Sequence, residues 1–321
     1  MGSGVTMDNA VLVTGATGFI GRDLIHRLAA AGWRVRAAAR NPQSIQTTPA
    51  IEAFPLGDLS GPVDWSALLE GMTHVVPLAG IAHAGAATPE SAYVAVNAQA
   101  VRRLAEAARA KGIRRVVLLS SVRAQTGPVA AGIVRESDAP RPTDAYGRSK
   151  LAAERALVEV LDRSATDWVV LRPVIAYGAA VKGNMRKLFG LARTPLPLPF
   201  AGLNSRRSLL SLGNLASGVA HVLLAEEASR GTYLVADPEP VTVPEMIKAL
   251  RHGLGRPPGL VRVPLGPARR LAQAMGRADA WDRLAGDLVV DTSALRATGW
   301  QPTQDSLEGL AAAIRADQVL R

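Results

Sequence analysis

Tyr146 and Lys150, in the stretch Thr143-Asp-Ala-Tyr-Gly-Arg-Ser-Lys-Leu-Ala-Ala-Glu154, are the residues of this chain best suited to chemistry. Pro142 just before them favours an extended entry, and Thr143 or Asp144 suits a helix N-cap. Ala, Leu, Glu and Arg then carry a helix toward Asp162. A Tyr and a Lys four positions apart leave such a helix from one face, a turn from each other. A phenol alone is a poor base at neutral pH, with a pKa of about 10. A neighbouring ammonium is expected to lower that value, so that the pair moves a proton to or from a substrate oxygen. Surface Tyr and Lys at helical spacing are also common, so the surrounding elements must decide.

Those elements read as strands alternating with helices. Ala10–Thr14 is a short apolar strand that leads into Gly15-Ala-Thr-Gly18-Phe-Ile-Gly21 and an amphipathic helix stopping at Gly32. Strand, glycine-rich turn and helix in that order suit a dinucleotide: backbone amides approach a pyrophosphate at the helix N-terminus. Gly15, Thr17, Gly18, Phe19, Ile20 and Gly21 are the candidate contacts, at G-x-x-G-x-x-G spacing. A tight turn without a ligand has the same appearance. Trp33–Arg40 is the second strand. It ends without the acid that would hold an adenosine ribose, and Arg40 stands where a 2′-phosphate could sit. NADP is therefore favoured over NAD.

Ile51–Leu56 reads as a third strand ending at Asp58-Leu59, with Asp58 either on the adenine amino group or capping its own turn. Thr73–Leu78 is a fourth, followed by Ala79-Gly80, small enough to pass over cofactor phosphates. Pro89–Ala110 reads as one long helix, Arg115–Ser120 as a fifth strand and Asp167–Arg172 as a sixth. The expected fold is α/β: a doubly wound parallel Rossmann sheet over residues 8–177, with 208–226 returning to it. Residues 178–321 form mainly a smaller C-terminal α+β lobe for the substrate. In such a sheet ligands lie at the carboxyl ends of the strands. Ser120 and Ser121 end the fifth strand there, where a hydroxyl meets the substrate or merely satisfies its own backbone.

Composition narrows the classes. The chain has 321 residues, 48% hydrophobic and 20% charged, and no cysteine, so disulfides and thiolate chemistry are excluded. No apolar run reaches the eighteen or so residues a bilayer requires, and no signal pattern opens the chain. A cytoplasmic location is expected. Met1-Gly-Ser-Gly-Val-Thr6 formally fits a myristoylation pattern, but an added or upstream leader ahead of Met7 is the favoured explanation. The net charge of +10, mostly arginine, suits an anionic substrate. Nucleic acid is not expected, because the arginines are dispersed and aromatics are 4%. The five histidines lack metal-ligand spacing, and only His83 lies near the expected crevice.

Taken together these motifs resemble the extended short-chain dehydrogenase/reductase family, the class of nucleotide-sugar epimerases and dehydratases. The resemblance rests on Thr14-Gly-Ala-Thr-Gly-Phe-Ile-Gly21, Ser120-Ser121, Tyr146-x-x-x-Lys150 and Leu171-Arg-Pro-Val-Ile-Ala-Tyr-Gly178, and continues through Asp291–Pro302. Ser121 and Tyr146 are 25 positions apart, close to the spacing in sugar epimerases of the family. The resemblance implies that Tyr146 is the acid/base and that Lys150 binds the nicotinamide ribose and lowers the tyrosine pKa. It makes Ser121 the group that orients the reacting hydroxyl. It implies that Asn97 braces the site and that Leu59, Leu78, Ala79, Gly80, Pro173 and Val174 line the cofactor. Arg207 is expected on a substrate diphosphate, with Asn184 near the same group.

Three departures bear on the substrate: Thr126-Gly127 replaces the usual Tyr-Gly, Ser208 and Asn214 replace acids, and Ser293 replaces a frequent lysine. Val122-Arg123 after Ser121 offers no acid pair, which disfavours dehydration. The expected activity is an NAD(P)-dependent epimerase or reductase of a nucleotide-activated sugar. The alternatives are a reductase of a small ketone or aldehyde, or a cofactor sensor without turnover. Pro264–Leu284 carries arginines among apolar residues and reads as a substrate-covering flap in preference to a membrane-surface helix. Ala152, Ala153, Ala156 and Leu157 form an apolar face on the Tyr146 helix that could pack on a second copy, so a homodimer is expected.

Overall fold

The computed structural model describes residues 9–82, 88–276 and 278–320. The leader and His83 lie outside the described residues. Seven parallel strands form the central sheet, in the order Gly231–Val235, Asp167–Pro173, Arg115–Leu119, His74–Pro77, Ala10–Thr14, Arg34–Ala39, Ile51–Pro55. The order reverses between Ala10–Thr14 and His74–Pro77, and in such sheets ligands bind beyond the carboxyl ends of the strands at that point. Six of these strands coincide with the expected ones to within two residues at each end. The seventh, Gly231-Thr-Tyr-Leu-Val235, opens with Gly and Thr and lacks the apolar run that marks its neighbours.

Two apolar layers cover the sheet. On one face the helices Phe19–Ala30 and Leu212–Leu224 pack on Val11, Val13, Val117 and Val169. On the other, Ala100–Ala110 and Ala145–Leu161 pack on Leu12, Val75, Val116 and Val170. The strands are buried on both faces, as the continuous Val/Leu runs require. The segment Ser208–Leu224 divides. Leu209–Ser211 pairs with Ile175–Tyr177 in a separate two-stranded sheet, while Leu212–Leu224 returns to the main sheet as a covering helix.

The helix expected over Pro89–Ala110 is interrupted. It runs α-helical from Glu90–Tyr93, widens to a π-turn at Val94–Gln99, and resumes as Ala100–Ala110. Such widened turns concentrate at functional sites, and this one carries Asn97. The C-terminal lobe is built on Gly183–Arg193, Val243–Gly253 and Ser306–Val319, which share a core around Tyr177, Phe189, Leu250 and Ile314. Thr242 and Glu245 form a reciprocal capping box at the start of the second of these. The Pro264–Leu284 segment forms two helices, Leu265–Ala274 and Ala278–Ala285.

The apolar face proposed for a second copy is used within the chain. Ala153 and Leu157 are fully buried beside Leu104 and Ala105, and Ala156 is buried as well. The outward edge of that helix instead carries Glu159, paired with Arg102 at 2.5 Å.

Candidate active site

Asp144, not Thr143, caps the Tyr146 helix, accepting from the Gly147 amide at 2.7 Å. The same carboxylate pairs with Arg123 at 2.6 Å, so one side chain starts the helix and fixes the segment after Ser121. Ser121 caps its own short helix, Val122–Gln125, accepting from the Arg123 amide at 3.1 Å. Its hydroxyl also lies within polar reach of the Tyr146 phenol, whose pKa it lowers. The serine therefore satisfies its own backbone, one of the two readings its position allowed. The helix can approach this closely because residue 147 is glycine: a Cβ there would lie 2.2 Å from the Arg123 carbonyl oxygen.

Burial pushes the Tyr146 phenol up, aided by Asp144, while Ser121 and the charge of Arg123 pull it down. This reverses the direction expected from the sequence, since desolvation of a phenolate outweighs the favourable neighbours. Lys150 donates to the Leu119 carbonyl at 2.8 Å, directed at the end of the fifth strand. Burial lowers its pKa to about 8, with Glu154 opposing the shift. At neutral pH the site therefore holds a protonated phenol beside a largely protonated lysine.

Behind these groups lies an ionic lattice that the motifs did not announce. Glu154, one turn beyond Lys150, takes a two-point contact from Arg172 at 2.6 and 3.0 Å, both side chains nearly inaccessible. Ser120 donates to the same carboxylate, and Gln125 accepts from Arg172. A signal was present: an arginine inside a strand buried on both faces must find a partner.

Asn97 links the Ile81 backbone to Ser149. Its amide oxygen accepts from Ile81 N at 2.8 Å, and its nitrogen donates to Ile81 O and to Ser149 Oγ, both at 3.0 Å. Ser149 in turn donates to the Tyr146 carbonyl at 2.8 Å, which joins the Ala79-Gly80 loop to the Tyr146 helix. A side chain at Gly80 would strike Asn97, its Cβ 2.7 Å from the amide oxygen.

The glycine loop fits a pyrophosphate. Gly15 has φ +68° and lies against the chain at Ala79, where a Cβ would come within 2.7 Å of the amide nitrogen. A Cβ at Gly21 would lie 2.3 Å from Gly15 O. Thr14, a residue the motif contains without assigning it a role, accepts from Ala79 N at 3.1 Å and ties the two loops together. Gly18 caps the helix without a side-chain bond and no acid occupies its first turn, so the amides of Phe19, Ile20 and Gly21 face an open, electropositive end. Thr17 accepts at its carbonyl from Arg22 at 3.0 Å.

At the adenine end Arg40 is exposed. Asp58 accepts from Ser60 N at 3.0 Å and Oγ at 2.6 Å, which lowers its pKa, with a smaller contribution from the charge of Arg40. Asp58 thus caps its own turn, while Leu59 is buried and offers its carbonyl to Arg103 at 2.7 Å. Leu78 and Ala79 are half-buried at the end of the fourth strand. Pro173 and the buried Val174 end the sixth strand, beside Val235.

Arg207 is engaged differently from the expectation. Its guanidinium donates to the carbonyls of Pro128 (3.2 Å), Gly286 (2.9 Å) and Arg283. Burial lowers its pKa, with Asp287 opposing. It therefore clamps the loop after Gln125 to the end of the Ala278–Ala285 helix. Asn184 is exposed on the first turn of Gly183–Arg193.

A profile of the NAD dependent epimerase/dehydratase family matches residues 11–236. The chain belongs to that family. It is an NAD-dependent enzyme of the short-chain dehydrogenase/reductase type, with the Rossmann-like sheet of extended members. A UDP-glucose 4-epimerase from Vibrio cholerae is 32% identical over 310 residues, 94% of each chain. A ceramide reductase from Caulobacter vibrioides is 30% identical over 91% of this chain and 86% of its own. Among solved structures, MoeE5 in complex with UDP-glucuronic acid and NAD superposes with a TM-score of 0.78 at 24% identity, covering 98% of this chain and all of its own. The UDP-glucuronic acid 4-epimerase from Bacillus cereus, in complex with NAD, gives 0.77 at 20% identity, covering 97% and 99%. At those identities the likeness concerns the fold. No helix among the described residues is long and apolar enough to cross a membrane.

Proposed function

We propose that this enzyme is an NAD(P)-dependent epimerase or reductase of a nucleotide-activated sugar, with a UDP-sugar as the substrate class. The observation that carries the reading is the Tyr146 phenol within reach of Ser121, with Lys150 on the same helix and the glycine cradle at the carboxyl end of the first strand. The Vibrio cholerae relative, similar over nearly the whole of both chains, supports the substrate class.

A dinucleotide whose pyrophosphate is held at Gly15, Gly18 and Gly21 would supply, through its nicotinamide, the hydride acceptor and donor. The chain's own residues handle the proton. Ser121 holds the substrate oxygen beside Tyr146, and Tyr146 gives its proton to a carbonyl oxygen or takes one from a carbinol. The raised phenol pKa favours the protonated form, ready for the donating direction. Arg123 supplies positive charge that makes the phenolate more tolerable in the other direction. Asn97, through Ser149, keeps the Tyr146 backbone in register with the Gly80 loop.

A reductase of a ketone that is not nucleotide-linked is the second reading. It is favoured by the engagement of Arg207 with three carbonyls and by the ceramide reductase among the relatives. Turnover of a UDP-sugar panel by parent and Tyr146→Phe distinguishes the cases. On the first reading UDP-sugars bind both proteins, and turnover falls by about 10² to 10⁴ in the variant. Ketone reduction without UDP-sugar binding would select the second, and unchanged turnover in the variant would remove Tyr146 from the chemistry. A homodimer is part of the same proposal, and sedimentation velocity reads it.

A further inference from the structure

The acids and bases of this chain are segregated. Residues 168–225 and 246–278 contain no Asp or Glu, although 27 occur elsewhere, and they hold fourteen of the 37 basic residues. Both stretches belong largely to the C-terminal lobe, and they lie side by side. Leu198 N donates to Gly259 O at 2.9 Å, Val261 N to Leu198 O at 3.0 Å, and Ala201 N to Val261 O at 3.2 Å.

Apolar side chains stand out of this cationic face instead of turning inward. Leu196 is 66% exposed, Val261 44%, Leu265 40% and Met275 59%. In the helix Leu265–Ala274 every residue whose side chain is described is exposed. Three arginines on this segment, Arg262, Arg269 and Arg270, are exposed and make no hydrogen bond or ion pair among the described residues. Their neighbours are employed internally: Arg251 holds the carbonyls of Thr194, Leu196, Pro258 and Gly259, and Arg193 pairs with Asp317. Asp282 on the next helix borders the Pro128–Val129 loop.

We propose that this face, centred on Leu265–Ala274 and the adjoining 194–203 and 258–264 loops, rests on an anionic lipid bilayer. Charge complementarity and exposed apolar side chains on and around one short surface helix meet at such an interface. Arginines reach the headgroup phosphates while Leu and Met enter the acyl boundary. At ten residues the helix lies on the surface and does not cross it. A soluble anionic substrate explains less, because it uses one or two guanidinium groups in a pocket and no protruding Leu or Met. Nucleic acid would call for aromatic platforms, and no exposed aromatic side chain stands among the described residues of these segments. The inference does not depend on which substrate the site takes.

Sedimentation of the full chain with vesicles tests it. One set is phosphatidylcholine alone, and the other contains about a third phosphatidylglycerol. The protein is expected to sediment with the anionic vesicles at about 0.1 M salt, to release at about 1 M, and to ignore the neutral ones. Each arginine contributes roughly fivefold, so Arg262→Gln/Arg269→Gln/Arg270→Gln is expected to weaken binding by roughly a hundredfold. Leu265→Ser/Met275→Ser, at unchanged charge, is expected to weaken it by roughly tenfold. The salt series on the parent reads the proposal without any variant. Absence from anionic vesicles overturns it. So does equal binding to duplex DNA that Leu265→Ser/Met275→Ser leaves intact, or a parent dimer that the arginine variant dissociates.

Discussion

Gly147 on the Tyr146 helix lies so near Arg123 that a Cβ would come within 2.2 Å of the Arg123 carbonyl oxygen. That contact sets how close the phenol comes to Ser121, because both residues neighbour the point of approach. A backbone oxygen cannot turn aside as a flexible side chain can. Gly147→Ala is therefore expected to destabilise the fold by about 1 to 3 kcal/mol and to reduce kcat more than it raises KM. Urea unfolding and steady-state kinetics on the same preparation read both. A variant that keeps full turnover would show that the Ser121–Tyr146 spacing tolerates more slack than the geometry allows.

The Glu154–Arg172 pair makes a second test. Removing one member leaves a buried charge without its partner, so Glu154→Gln or Arg172→Gln is expected to cost about 3 to 5 kcal/mol. The double variant is expected to cost clearly less than the two single changes added together. Denaturant midpoints for the four proteins of this cycle give the coupling. Additive effects would mean that the two side chains stabilise the fold independently.

The Ala10–Thr14 strand, the glycine loop and the Tyr146 helix were legible because each depends on neighbours in sequence: apolar run, turn glycines, N-cap, helical spacing. Asn97 was legible through resemblance, yet its π-turn was not, since widening a helix by one residue leaves no compositional mark. The contacts of Arg207 were not legible for a related reason. Its position in the motif is local information, but its partners Pro128 and Gly286 are 79 positions away on either side. The raised Tyr146 pKa escaped as well, because burial belongs to the assembled structure and spacing reports only which charges lie near. The same blindness explains why Ala153 and Leu157 read as a surface stripe: an apolar helix face shows that it packs, not on what.

Arg40 bears on the choice of cofactor. The second strand ends in alanine, and the exposed guanidinium that follows helps to lower the pKa of Asp58, itself engaged with Ser60. We expect NADP to bind more tightly than NAD, and Arg40→Ala to weaken NADP by about tenfold while leaving NAD within a factor of two or so. Titration of each dinucleotide by calorimetry reads the ratio. Equal losses for both would assign Arg40 to the adenine or to the fold instead of a 2′-phosphate.

Lys150 gives the protein a stability that depends on pH with a definite sign. Its folded-state pKa of about 8 lies below the ordinary lysine value of 10.5. Below pH 8 both native and unfolded chains carry the proton, and the native one bears the cost of burying the charge. Between about 8 and 10 the native lysine has released its proton while the unfolded one holds it, so stability rises with pH. The Tyr146 phenol, raised by burial, opposes this only at higher pH, where the unfolded chain ionises first. The rise attributable to Lys150 is up to about 3 kcal/mol. Urea unfolding of cofactor-free parent and Lys150→Met at pH 7.5 and 9.5, taken as about the two ends of that window, isolates it, because every other titrating group is common to both proteins. The parent is expected to gain more stability than the variant across the interval. Turnover is expected to fall over the same range as the ammonium is lost, and Lys150→Arg, which keeps its charge, to be flat there. An identical pH response in parent and Lys150→Met would mean that the amine is solvated in the native state and that its contact with Leu119 does not hold it out of water.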